Sequence, residues 1–221
     1  VWPEAPLPDT GAAPPPLPAP PDTTVPLSAT TWLTLVDVGY KHSTTSFGDY
    51  FTDMLLLGVA VGYPLSDWFV PTIGFQAGIG DLQDDFEELT GNGKSAHYAI
   101  ELGAQLRAPL AAGTDVYLGL AGGYYMRSLR WGGTLYYGYL DIYESGSLVR
   151  ELSDWGGSAR FGLQRRLSAR GAKPRLLDLS VRYESYGAEA SLLENPETGT
   201  MFTAADRDIW VGVTLGLIMG I

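Results

Sequence analysis

The sequence predicts an all-β chain: a single antiparallel up-and-down barrel of eight strands that crosses a membrane with its apolar face outward. Three observations carry that prediction. Apolar residues recur with a period of two from Thr31 to Ile221. The connections between these segments alternate between short and long. The parity opposite the apolar one is rich in Gly, Ser and Ala with a few charges, which suits a narrow interior better than a solvated exterior. Composition agrees, because 28 glycines, 13 tyrosines and only 18% charged residues favour closely packed strands over exposed helices.

Residues 1–30 come first and stand apart. They hold ten of the fifteen prolines and almost nothing that builds a core. Such a run favours polyproline II, at about 3.1 Å per residue, and reads as an extended tail. Pro14, Pro15, Pro16, Pro18, Pro20 and Pro21 are its candidate contacts for a protein partner.

Residues 31–221 form the barrel. A less regular first strand spans 31–41. Leu55, Leu57, Val59, Val61 and Tyr63 then alternate with small residues, as do Phe69, Ile73, Phe75, Ala77 and Ile79. The pattern continues with Tyr98, Ile100, Leu102, Ala104 and Leu106 against Glu101, Gly103, Gln105 and Arg107, and with Val116, Leu118, Leu120 and Tyr124 against Tyr117, Gly119, Ala121 and Gly123. Segments 155–167 and 176–186 repeat it. The last strand sets Ile209, Val211, Val213, Leu215, Leu217, Met219 and Ile221 on one face.

The turns at 65–67, 111–113 and 168–173 are short, whereas 42–52, 81–94, 128–153 and 187–206 are long loops, so the chain enters and leaves at the short-turn end. A soluble barrel alternates too, with its apolar face inward. The small polar face, the strand lengths, and aromatics near strand ends (Trp32, Tyr40, Tyr63, Phe69, Tyr98, Tyr124, Trp155 and Tyr183) favour the inverted, lipid-facing arrangement. No segment is long and apolar enough for a spanning helix, which leaves the closed barrel as the way to satisfy backbone groups in lipid.

These strands and loop lengths resemble the small bacterial outer-membrane barrels: the OmpA transmembrane domain and the OmpX-like and OmpW-like proteins. The resemblance covers about residues 31–221. It implies a bacterial outer-membrane location, with the tail and the C-terminus periplasmic, and contact with membrane lipid and lipopolysaccharide. Members commonly end in an aromatic residue that resembles an assembly signal, where this sequence ends in Ile221.

An eight-stranded barrel is just wide enough to be filled by side chains. The inward parity places Asp37, Glu101, Gln105, Arg107, Arg160, Asp178, Arg182 and Glu184 in the lumen as a polar network, with opposite charges paired because an unpaired buried one is costly. His42 and His97, each at a loop end with Ser43 or Ser95 nearby, are the residues to weigh for an enzyme, but no nucleophile motif surrounds them. Asp81, Asp84, Asp85, Glu87 and Glu88 make an acidic loop without EF-hand spacing.

Residues 127–153 alternate like strands projecting past the membrane, with a turn at Glu144 to Ser147. Trp131, Tyr136, Tyr137 and Tyr139 are candidate outer contacts. The absence of cysteine excludes a thiolate metal site, and the net charge of -11 argues against a nucleic-acid partner. The expected function is a non-enzymatic accessory or anchoring subunit of an envelope assembly, without metal or cofactor. The alternatives are a narrow channel for ions or small solutes, which the OmpW-like resemblance implies, and an adhesin working through its outer loops.

Overall fold

The computed structural model describes residues 31–45, 52–81, 93–137, 142–168, 173–187, 191–194, 201–203 and 207–221. The proline-rich segment lies outside them. The strands are β1 (Leu33–Ser43), β2 (Met54–Gly62), β3 (Phe69–Asp81), β4 (Gly93–Ala111), β5 (Thr114–Tyr137), β6 (Ile142–Arg166), β7 (Arg175–Gly187), β8 (Ser191–Glu194), β9 (Met201–Thr203) and β10 (Arg207–Gly220). Strands β1 to β7 and β10 pair in sequence order, all antiparallel. The barrel closes where β10 meets β1, from Leu33 opposite Gly220 to Ser43 opposite Trp210. The two short strands β8 and β9 pair only with each other, an addition within the last long loop that the sequence did not predict.

Period two sorts the side chains by face. Leu57, Ile73, Leu102, Leu120, Phe161, Leu179 and Val213 point outward and are exposed, Leu102 to 70%. In water such a continuous belt would be an aggregation surface, so its solvent is lipid. Along β6 the run from Trp155 to Leu163, at ~3.3 Å per residue and tilted by about 40°, gives a belt roughly 20 Å tall. Aromatics border it at both ends. At the short-turn end Trp32 packs on Tyr63 with ring centroids 5.0 Å apart, and Trp68 packs on Phe69 at 5.6 Å. At the loop end Tyr124 meets Trp155 edge-on at 5.6 Å, and Phe75 stacks on Tyr98 at 6.4 Å. Gly113, with φ of 69°, lets the tight β4–β5 turn close in a conformation that a side chain disfavours.

The projecting hairpin is longer than the sequence suggested. Glu144 lies opposite Leu135 and Ser147 opposite Gly132, and pairing runs on to Tyr137 opposite Ile142. The Glu144 to Ser147 stretch is therefore mid-strand and not a turn. Its small residues face Gly132, Gly133 and Thr134, so the two backbones stay paired through a run whose composition alone suggests a turn. Because β4 begins opposite Trp131 and β6 meets β7 only from Gly156 onward, the ribbon beyond these points is two-stranded among the described residues. Trp131, Tyr136 and Tyr137 belong to β5, where only the backbone register is described, and Tyr139 lies outside the described residues.

Candidate functional site

The inward parity builds a lumen in tiers. Nearest the short turns, Leu33, Leu35, Val70, Leu176 and Ile218 form a buried apolar cluster with Ala60 packed against it. Among them run polar contacts. Arg107 Nη2 is 2.7 Å from Asp115 Oδ2. Gln164 Nε2 donates to Asp178 Oδ1 at 3.0 Å and to Gln105 Oε1 at 3.3 Å. Tyr117 donates to the other Asp178 oxygen at 3.1 Å.

At mid-height Arg160 Nη1 meets Asp37 Oδ2 at 2.7 Å. Arg182 bridges two carboxylates, with Nη2 2.5 Å from Glu101 Oε2 and Nε 2.5 Å from Glu184 Oε1. The second Glu101 oxygen accepts from Ser158 at 2.7 Å and from the Tyr125 hydroxyl. Higher still, Lys41 Nζ lies 2.8 Å from Glu184 Oε2, with His97 Nε2 3.7 Å from that same oxygen. Arg127 pairs with Asp208 at 2.6 Å, and Tyr186 donates to the same Asp208 oxygen at 2.8 Å. Tyr125 and Tyr186 stack at 4.9 Å, while Lys41 lies over the Trp210 ring at 4.7 Å.

All eight residues read from the sequence as a lumen network thus face inward, and six of them join in ion pairs: Asp37, Glu101, Arg107, Arg160, Arg182 and Glu184. Asp178, expected to pair with an opposite charge, instead accepts from the neutral Gln164 and Tyr117, and Gln105 accepts from Gln164. The sequence reading missed the upper tier of Lys41, His97, Arg127 and Asp208. Its signal was present: the inward parity of Asp37 continues to Lys41, and that of Glu101 continues back to His97. The expected loop-end position of His97 is corrected accordingly. Its side chain is fully buried among Tyr125, Tyr186 and Glu184, because β4 extends below and above the segment the sequence assigned.

His42 does sit at the loop end and is exposed, with Nδ1 2.5 Å from Asp53 Oδ1; Tyr40 donates to the other Asp53 oxygen. Burial favours the neutral form of Asp53. The hydrogen bonds from Tyr40 and His42 outweigh it and hold the carboxyl below its ordinary pKa. Neither histidine hydrogen-bonds a serine among the described residues: Ser43 donates to Asp208 at 3.1 Å, and Ser95 accepts from Arg127 at 3.0 Å. Asp81 ends β3, whereas Asp84, Asp85, Glu87 and Glu88 lie outside the described residues, among which no group of three metal-ligating side chains occurs.

A cavity of about 60 Å³ remains at mid-height, bordered by Glu101, Gln105, Ser158, Arg160 and Arg182. It has room for about two waters, since one occupies roughly 30 Å³ in the liquid.

No family model matches the sequence, and no curated protein matches it either. Solved structures do. Neisserial surface protein A (NspA) superposes with a TM-score of 0.57 at 12% identity, covering 85% of this chain and 96% of that one. The outer membrane protein OprG from Pseudomonas aeruginosa superposes with a TM-score of 0.51 at 11% identity, covering 86% of this chain and 96% of that one. At such identities the likeness is one of fold. With the apolar belt, the aromatic borders and the polar lumen, it makes this chain a transmembrane barrel with the fold of the small eight-stranded outer-membrane proteins.

Proposed function

We propose that the barrel is a non-enzymatic anchor, an accessory subunit of a cell-envelope assembly, whose work is done by what it carries at its two ends. The observation behind this reading is the filled lumen. Among the described residues ion pairs span it from Arg107 to Arg127, the apolar cluster fills its short-turn end, and the mid-height cavity of about 60 Å³ admits water and little else. A solute path through it requires breaking several buried ion pairs at once, which opposes the channel reading.

Both barrel termini, Leu33 and Gly220, lie at the short-turn end, and on this reading the proline-rich residues 1–30 that precede β1 supply the contact with a periplasmic partner. At the opposite end the β5–β6 ribbon presents, among the described residues, an unpaired backbone edge on β6 from Ile142 to Trp155. A row of free N–H and C=O groups is a template for strand addition, and this edge supports a second reading as a surface adhesin.

Extraction from native membranes in mild detergent, with and without residues 1–30, tests the first reading. A stoichiometric protein partner lost with the tail is the expected result. A lone monomer in both preparations removes the periplasmic contact. Planar-bilayer recordings are expected to be silent, and steady conductance restores the channel.

A further inference from the structure

We propose that Arg165, Lys173 and Arg175 form a site for the phosphate of an anionic phospholipid in the leaflet that meets the short-turn end. The sequence marks the place. Between Gln164 and Arg175 the chain carries five cations and no acid, in a protein of net charge -11. Cations elsewhere are largely taken up inside: Lys41, Arg107, Arg127, Arg160 and Arg182 each meet a carboxylate in the lumen. Arg165, Lys173 and Arg175 instead point outward and are exposed, and none forms an ion pair with a described acid. Arg165 Nη1 makes one long bond of 3.4 Å to the neutral Thr114 hydroxyl. The neighbouring Asp115 carboxylate is occupied by Arg107 at 2.7 Å.

Register brings the two arginines onto neighbouring positions of the outward face. Arg165 lies opposite Leu177, and the Leu167 N–H donates to the Arg175 carbonyl at 2.8 Å. Arg165 and Arg175 are therefore diagonal neighbours on the outward face, with backbones roughly 7–8 Å apart. From backbones at that spacing, two long arginine side chains can reach one phosphate once Arg165 gives up its long bond to Thr114, each able to donate two parallel N–H bonds, with Lys173, two residues before Arg175, adding a point charge.

Depth selects a lipid over an acidic protein. Arg165 follows Leu163 and Arg175 precedes Leu177 on the outward face, and the exposed Leu167 follows Arg165, so the cations lie among the last apolar side chains at the short-turn margin of the belt. Phosphates of a bilayer lie at this boundary, and long cationic side chains reach them while their stems stay on apolar surface. A soluble acidic partner would have to cross the headgroup layer to reach the same atoms.

The full chain in nanodiscs of phosphatidylcholine containing a minor share of phosphatidylglycerol provides the test, with retained lipids read by native mass spectrometry. Retention of phosphatidylglycerol over phosphatidylcholine is expected. It should fall about fivefold for each cation removed in R165Q, K173Q and R175Q, and weaken with added salt. Lys94→Gln, an exposed cation at the loop end, should leave retention unchanged. Heat-modifiable gel migration confirms that each variant is folded before its lipids are counted. Equal retention of the two lipids by the unaltered chain, undiminished retention by the triple variant, or an equal loss in Lys94→Gln overturns the site.

Discussion

Glu184→Gln is the substitution that probes the lumen most directly. The Glu184 carboxylate is the hub of the upper tiers: Oε2 is 2.8 Å from Lys41 Nζ and Oε1 is 2.5 Å from Arg182 Nε. All three side chains are nearly inaccessible, so solvent does not compensate a lost partner. Each charge-assisted hydrogen bond contributes about 1.5–3 kcal/mol, and a glutamine oxygen keeps part of one. Arg182 retains Glu101, but Lys41 is left without a carboxylate in contact. Breaking a buried pair from one side typically costs about 3–5 kcal/mol, and that is the expected destabilisation. Lys41→Met combined with Glu184→Gln removes the stranded charge as well, so the double variant should be more stable than Glu184→Gln alone. Urea titration of the protein folded into lipid vesicles, followed by tryptophan fluorescence and by heat-modifiable migration, measures both. If Glu184→Gln stays within about 1 kcal/mol of the unaltered chain, the pair behaves as a solvated surface pair and the lumen is hydrated, which refutes the filled-barrel reasoning.

Other perturbations separate the interior from the lipid face. A Cβ at Gly58 would fall on the Asp37 carboxylate that Arg160 engages, so Gly58→Val should cost about 1–3 kcal/mol in the same titration, by overpacking. A Cβ at the outward-facing Gly122 would approach nothing closer than the Gly156 carbonyl oxygen at 3.7 Å, so Gly122→Ala should leave stability nearly unchanged. Leu179→Arg places a charge near the middle of the belt, where Leu179 lies opposite Leu215 and Leu163, and should destabilise by about 2–4 kcal/mol.

The eight strands were legible because two solvents enforce period two without relief: lipid on one face and a narrow polar lumen on the other. Where that constraint holds, from Val36 to Tyr40 or from Leu177 to Tyr183, parity alone sorts the faces. It loosens past the belt, and there the reading shortened β4, β5 and β6 and put His97 at a surface. Composition misled at Gly146, which suggests a turn by itself but lies opposite Gly133 in a continuing ladder. Cross-barrel partners were not legible at all. Lys41 and Glu184 are 143 positions apart, and only the closure of β1 on β10, with β7 behind it, brings them together.

Charge in the lumen has a cost that an apolar filling would avoid, since a buried ion pair is often no more stabilising than hydrophobic residues of the same volume. In a membrane, however, an apolar filling would leave nothing to distinguish inside from outside. A one-residue slip in the register of a strand moves every side chain to the other face. With Arg182 and Glu184 on β7, such a slip delivers both to lipid, where an arginine near the midplane costs about 2–4 kcal/mol by itself. The ion pairs therefore act on register and closure more than on net stability. The double variant Lys41→Met with Glu184→Gln separates the two roles: near-normal stability with a smaller fraction reaching the heat-modifiable folded form would locate their contribution in register, whereas an unchanged folded fraction would assign it elsewhere.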